Sequence, residues 1–325
     1  MSTSKPSHPA KPQLTEDGWR TPVQPSMKRR MAGWDYTQPS IYMLTLVVED
    51  RRPLLGTLVG GDPQAAHIEP SALGSMVAAE FLGIPRYYPQ IRIIICQLMP
   101  DHLHGILHVV QSLPRPLGQV VSGFKKGCER KRQTLASAQP ALAPRLWEEG
   151  FNDKVLYGHD QLRHMVAYVR DNPRRLWLKR HRCSYFEQQQ VTLKGLSFVA
   201  MGNLSLLQRP LLAVHIRRKW DEQERRDNMN NYILQARHGA VLVGAFISPY
   251  ERQVLLQTEQ ERLPVVRLLE NGFPELYKPG GAAFDACAEG RLLLLAPWGH
   301  HNGRETISRN QCQQLNAMAE KICDV

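Results

Sequence analysis

The chain is predicted to hold an α+β domain, one antiparallel sheet packed with helices, followed by an α/β layered domain. Two observations predict this. Hydrophobic spacing up to about Tyr185 reads β, α, β, β, α, β, α, whereas beyond Leu193 short apolar strands alternate with helices. The length, 325 residues, also exceeds the usual span of one core.

The elements follow in order. Residues 1–33 are polar and rich in Ser, Pro and Lys, which predicts a flexible basic arm without the apolar stretch of a signal peptide. Ile41 to Val48 is apolar and β-branched, a buried strand. Pro70 to Gly83 has helical spacing and a glycine stop. Ile91 to Leu98 and His102 to Val110 form a hairpin-like pair across Met99, Pro100 and Asp101. Leu117 to Gln133 is a basic amphipathic helix with Val120, Val121, Phe124 and Cys128 on its apolar stripe. A loop rich in Ala, Pro and Ser, Thr134 to Pro144, leads to a short strand at Lys154 to Tyr157. Asp160 caps a helix whose buried face is Leu162, Met165, Val166 and Val169, ended by Pro173. In the second domain Leu211 to Ile216, Ala240 to Phe246, Val265 to Leu269 and Arg291 to Ala296 read as buried parallel strands, with helices near Asp221 to Arg237 and Pro249 to Glu261.

Composition excludes several classes. No apolar run approaches the roughly 20 residues that a membrane helix needs, so a cytoplasmic protein is expected. The six cysteines form no CxxC pair, which argues against a zinc ribbon and a disulfide framework. Net charge is +11 and lies in the first half: up to Tyr185 there are 25 Lys and Arg against 15 Asp and Glu, and beyond it 16 against 15. Such an excess attracts polyanions, nucleic acid first among them, although a merely soluble basic surface has the same signature.

The peptide Met99-Pro100-Asp101-His102-Leu103-His104-Gly105 carries the most chemistry. Side chains at i and i+2 of a strand share a face, so His102 and His104 project together, either as two exposed strand histidines or as a divalent-metal pair. On the later helix His164, Tyr168 and Asn172 are spaced by four and share a face. Tyr168 is a candidate nucleophile or a packing aromatic; Asn172 is a candidate oxygen ligand or a helix C-cap before Pro173.

Taken together, MPDHLHGILHV, the basic helix with SGFKKG, the run LWEEGFNDKVL and the helix with YVRDNP resemble the REP-associated tyrosine transposases, members of the HUH single-tyrosine group. The resemblance covers roughly Trp34 to Leu178. It implies a ferredoxin-like HUH fold over residues 34–185, with His102, His104 and Asn172 as ligands to Mg²⁺ or Mn²⁺ and Tyr168 as nucleophile. It further implies cleavage and rejoining of single-stranded DNA, a hairpin or palindromic repeat, through a 5′-phosphotyrosine link, by a monomer or homodimer. Lys125, Lys126, Arg130, Lys131, Arg132, Arg174 and Arg175 are the expected DNA contacts, and Arg170 and His164 the candidate cations assisting deprotonation of Tyr168. A DNA-binding regulator that has lost cleavage and a zinc hydrolase using the same histidines remain open as alternatives.

The segments MGNLSLLQRPLLAVHIRRK, GAVLVGAFISPYERQVL and LLENGFPELYKP resemble the Rossmann-type domain of the DNA-processing protein A and lysine-decarboxylase-like families. This implies a Rossmann-like domain over residues 193–325. The run Val214 to Arg218, where those families turn on glycine to approach phosphate, has no glycine here, so no cofactor is expected; a DNA-binding or dimerising role is the reading, with small-ligand binding second.

Overall fold

The computed structural model describes residues 13–15, 18–20, 33–136, 145–217, 219–274, 277–302 and 307–324. The expected basic arm over residues 1–33 lies outside these, save for strands β1 (Gln13–Thr15) and β2 (Gly18–Arg20), which pair antiparallel, and Gly33. Most of the Ala-, Pro- and Ser-rich loop lies outside them too, as does Arg218. The chain forms two compact units, Met1–Trp177 and Leu178–Val325. The protein is a mixed α/β molecule with antiparallel strands and helices, and among the described residues no helix is long and apolar enough to cross a membrane.

In the first unit β3 (Ser40–Val47), β6 (Ile91–Met99), β7 (His102–Val109) and β8 (Asn152–Leu156) make one antiparallel sheet in the order β6-β7-β3-β8. Both faces are covered. Tyr42, Leu44, Leu46, Leu103 and Leu107 share a core with helix α1 (Ala72–Leu82) and helix α3 (Leu117–Ala136), through Leu73, Val77 and Phe81 of α1 and Val120, Val121 and Phe124 of α3. The opposite face places Met43, Ile106 and Leu156 against Val169, with Leu162, Met165 and Val166 alongside, all four on helix α4 (Gly158–His181). The central strand β7 therefore alternates between two interiors, as the period of two in a strand requires.

Gly105 shows how closely the first face is packed. A Cβ at that position would stand 2.1 Å from Cζ of Phe81, whose ring meets Phe124 edge to face at 5.5 Å. A side chain cannot coexist there with that aromatic pair.

Helix α4 departs from the sequence reading at both ends: it begins at Gly158, so Asp160 lies inside its first turn and does not cap it. Helix α4 does not stop at Pro173 but runs through it to His181. Proline removes one donor, that for the carbonyl of Val169, yet the next turn is held by tertiary contacts: Leu176 packs on the core and Trp177 Nε1 donates to the Gly60 carbonyl at 3.0 Å. Packing outweighs the one lost bond. The sequence also hides a small hairpin, β4 (Gly56–Val59) with β5 (His67–Pro70), and a short helix α2 (Ile84–Tyr87).

The second unit is a six-stranded sheet with helices on both faces. Strands β11 (Leu211–Ala213), β12 (Val241–Gly244), β13 (Val265–Leu268) and β14 (Leu292–Ala296) are parallel in that order. The sheet continues antiparallel through β10 (Leu196–Gly202) and β9 (Gln189–Leu193). These two are joined by Lys194 and Gly195, both at positive φ (50° and 75°), the conformation a two-residue hairpin needs. Helices α5 (Glu222–Arg237), α6 (Pro249–Gln260) and α7 (Gly281–Ala288) cover one face, and α8 (Arg309–Cys323) the other.

The Gly105 contact makes a prediction. Gly105→Ala forces Phe81 from its rotamer and lowers stability by about 1–3 kcal/mol, measured by urea unfolding against wild type.

Candidate functional site

The register of the first sheet assembles the site. His104 lies opposite Thr45 of β3 and Gln97 of β6, and His102 lies opposite Val47 and Met99. On the helix side of the sheet the two imidazoles meet nearly edge to face, with ring centres 4.7 Å apart and Nε2 atoms 3.1 Å apart. Each ring is anchored through its other nitrogen. His102 Nδ1 lies 2.6 Å from Asp101 Oδ1, a carboxylate oxygen that can only accept, so Nδ1 carries a proton and, in the neutral form of the ring, Nε2 is the nitrogen left with a lone pair. His104 Nδ1 lies 3.0 Å from Thr45 Oγ1. His104 is 8% exposed, and burial, with the charges of His102 and Arg51, pushes its pKa down to about 3, so it is neutral near pH 7. At 3.1 Å the two Nε2 atoms share a hydrogen bond when His104 carries its proton on Nε2, and present two facing lone pairs when it carries it on Nδ1, the tautomer in which Thr45 Oγ1 accepts. Two adjacent ligands of an octahedral ion with bonds of about 2.1 Å stand about 3 Å apart, so the pair fits a small divalent cation.

Asp101 is anchored in turn. Burial raises its pKa, but the hydrogen bond and charge of His102 and the charge of Arg51 outweigh that and hold it at about 2. Arg51 Nη1 donates to Asp101 Oδ2 at 3.2 Å, and Val48 N–H to the Asp101 carbonyl at 2.9 Å. The backbone that presents Arg51 is unusual: Asp50 and Arg51 both take the left-handed conformation, with φ of 56° and 54°. For residues with a Cβ this costs roughly 1–2 kcal/mol each, somewhat less for Asp. An ion pair with one partner half-exposed returns at most about 1 kcal/mol, so the pair alone does not offset the strain.

Across from the histidines stands α4. The Tyr168 ring is 6.3 Å from that of His104, is 40% exposed, and has the Arg175 guanidinium over its face at 5.6 Å. His164 and Arg170 lie exposed on the same helix. Asn172, one turn beyond Tyr168, is buried, and its Nδ2 has no hydrogen-bond partner. An amide with its nitrogen and oxygen exchanged has the same shape and puts an acceptor oxygen at that position. Because α4 continues through Pro173, Asn172 is not a C-cap. Among the described residues no three His, Cys, Asp or Glu side chains converge as a metal site, so an ion at the histidine pair has to draw any third protein ligand from another residue type.

The basic residues separate into two groups. Lys125 is turned inward: its ammonium donates to the Glu148 carbonyl at 2.7 Å and also to that of Gly150, and burial pushes its pKa down to about 8. Arg132 is buried and paired with Glu129, Arg174 is paired with Asp171, and Lys131 with Glu80. Lys126 and Arg130 line a shallow depression of about 440 Å³ on α3 with Gly123, Glu129 and Gln133. Thr45, Asp101 and Arg51 escaped the sequence reading. Asp101 carried a signal, an acid directly before the histidine pair, whereas Thr45 becomes visible only through the strand register.

In the second unit the backbone amides at the carboxyl ends of β11 and β12 are occupied by a side chain of the same unit. Glu251 of α6 is 5% exposed, and its carboxylate accepts from the N–H groups of Ile216 (3.3 Å), Ile247 (3.2 Å) and Ser248 (3.2 Å). These amides, at the carboxyl ends of β11 and β12, already have an acceptor in the Glu251 side chain. The residues present do not fit a bound phosphate there.

No protein-family model matches the chain. An uncharacterised protein of Haemophilus influenzae is 22% identical over 167 residues, which is 44% of this chain and 86% of that protein. Among solved structures the chain is similar to the REP-associated tyrosine transposase bound to a REP hairpin, at 16% identity over 44% of this chain and 72% of that one, with a TM-score of 0.33. It is also similar to DNA processing protein A from Helicobacter pylori, a structure concerned with single-stranded DNA binding, at 14% identity over 44% of this chain and 68% of that one, with a TM-score of 0.31.

Two predictions follow from these geometries. In the metal-free protein the unfolded chain takes up a proton at His104 near pH 6.5 and the folded one only near about 3, so stability falls as pH drops through that window. Asp101, at about 2 against 3.8, adds a further loss below about pH 4. Urea melts of wild type and His104→Gln at several pH values check this, the variant showing the flatter slope above pH 4. In the second unit, Glu251→Gln places an amide against amide donors and lowers stability by about 1.5–3 kcal/mol, read by chemical denaturation.

Proposed function

We propose that the protein cleaves and rejoins single-stranded DNA, with Tyr168 as nucleophile and with His102 and His104 holding Mg²⁺ or Mn²⁺. The observation that carries this reading is the convergence, across the sheet–helix boundary, of two anchored imidazoles and a partly exposed tyrosine from segments more than sixty residues apart in sequence. The motif order that resembles the REP-associated tyrosine transposases supports it independently. The buried amide of Asn172, without a partner at Nδ2, is the candidate third ligand.

In this reading the chain's residues divide the work. Asp101 and Thr45 hold the two rings through Nδ1, which leaves the Nε2 atoms, 3.1 Å apart, as the candidate ligand atoms. His102 and His104 would hold a divalent ion, which would supply positive charge toward the phosphate, undiminished by uncharged protein ligands. Tyr168 Oη attacks phosphorus and loses its proton; the bond from phosphorus to the 3′ oxygen breaks, leaving a 3′-hydroxyl and a phosphate joined to the tyrosine. Arg175, over the ring, offers positive charge to the developing phenolate. Attack by another 3′-hydroxyl reverses the step, so strands are rejoined without an external energy source. Lys126 and Arg130 are the surface cations of α3 placed to follow the DNA backbone, alongside Lys131.

The test is covalent capture. The protein is incubated with end-labelled single-stranded hairpins from its own genomic flanks and Mn²⁺, then run on a denaturing gel beside Tyr168→Phe. A labelled adduct present in wild type and absent in Tyr168→Phe is expected. Tight binding without adduct would instead mean a regulator, and metal-dependent hydrolysis that survives in Tyr168→Phe a hydrolase.

A further inference from the structure

We infer that Arg51 is a positioning residue for the candidate metal pair, acting through Asp101, and that the left-handed turn at Asp50 and Arg51 is maintained for this purpose. The inference rests on the reading of His102 and His104 as a divalent-metal pair and goes beyond it by naming what aims His102.

The turn follows directly on β3, the strand that carries Thr45. Its backbone is tied by Arg51 N–H donating to the Val48 carbonyl at 2.9 Å, while Val48 N–H donates to the Asp101 carbonyl at 2.9 Å. The strained turn and the residue before the histidine pair are thus one bonded unit. From it the Arg51 guanidinium reaches one carboxylate oxygen of Asp101, and His102 Nδ1 takes the other. A carboxylate gripped at both oxygens by donors from two different elements has little freedom to swing, and the imidazole it holds inherits that fixity. Without Arg51, Asp101 is free to rotate and His102 Nε2 loses its aim at the point it shares with His104.

Contact with DNA is the other work a half-exposed arginine beside such a site could do. The neighbouring charges oppose it. Glu49, Asp50 and Glu148 cluster with Arg51, and Lys125, the cation that shares the cluster, is turned toward backbone carbonyls. An arriving phosphate meets more negative than positive charge there. A cation embedded among carboxylates is placed to hold a carboxylate.

Glycine makes the test clean, because it adopts φ near 54° without strain; Arg51→Gly therefore deletes the guanidinium while easing the backbone. Mn²⁺ affinity of the full chain is measured by electron paramagnetic resonance for wild type, Arg51→Gly, Asp101→Asn and the double variant, with thermal melts alongside. Wild type binds Mn²⁺. Arg51→Gly keeps or raises its melting temperature and binds Mn²⁺ about 10-fold more weakly, Asp101→Asn loses at least as much, and the double variant is no weaker than Asp101→Asn. A merely structural role does not produce that lack of additivity. An unchanged affinity in Arg51→Gly, or losses that add in the double variant, overturns the inference and leaves the metal pair standing. Absence of Mn²⁺ binding by wild type overturns both.

Discussion

The alternation of side chains along β7 governs the first unit. Leu103, Gly105 and Leu107 point toward α1 and α3, and His102, His104 and Ile106 toward α4. Because both faces are buried, a slip of one residue in register would carry the histidines into the apolar core and expose Leu103 and Leu107 to the site. Gly105 adds a second lock, since Phe81 occupies the space a side chain would need. Core packing and site geometry are therefore one constraint: the contacts that exclude other registers also deliver two imidazoles to the helix side of the sheet.

On that face the electrostatics form a chain. Arg51 meets Asp101, Asp101 holds His102, His102 faces His104, and Thr45 holds His104 from behind. Each link fixes the protonation or orientation of the next, and burial keeps the last ring neutral. The helix opposite contributes differently: Val169 fastens it to the sheet, and this leaves Tyr168, one residue earlier, partly exposed at the margin. A buried residue beside an exposed phenol holds that phenol on a rigid element.

The second unit follows an opposite logic. Its parallel strands and capped helices present backbone N–H groups at one edge of the sheet, and Glu251 consumes them internally. A carboxyl side chain that accepts from three amides binds the β11 and β12 loops to α6. The arrangement turns a place suited to ligands into a structural joint, which agrees with the missing glycine in the run after β11.

Sequence by itself determined the four strands of the first sheet, helices α1, α3 and α4, and the parallel strands and helices α5 and α6 of the second unit to within a few residues, but not β4, β5, α2, β9, β10, α7 or α8. It also determined the shared face of His102 with His104 and of Tyr168 with Asn172, because those follow from periods of two and of about 3.6 along a single segment. It misjudged the end of α4, where contacts of Leu176 and Trp177 with distant residues overrule a proline that local rules treat as a stop. It also grouped Lys125 and Arg132 with the surface cations, because helical periodicity places a side chain on a face without saying which backbone carbonyls or carboxylates lie within its reach. Only the tertiary structure decided that Thr45 stands behind His104, that Arg51 reaches Asp101 from a left-handed turn, and that the histidine pair faces Tyr168. Those relations depend on strand register and on the packing of a helix across a sheet. Both are set by the summed burial of many side chains and not by any local pattern.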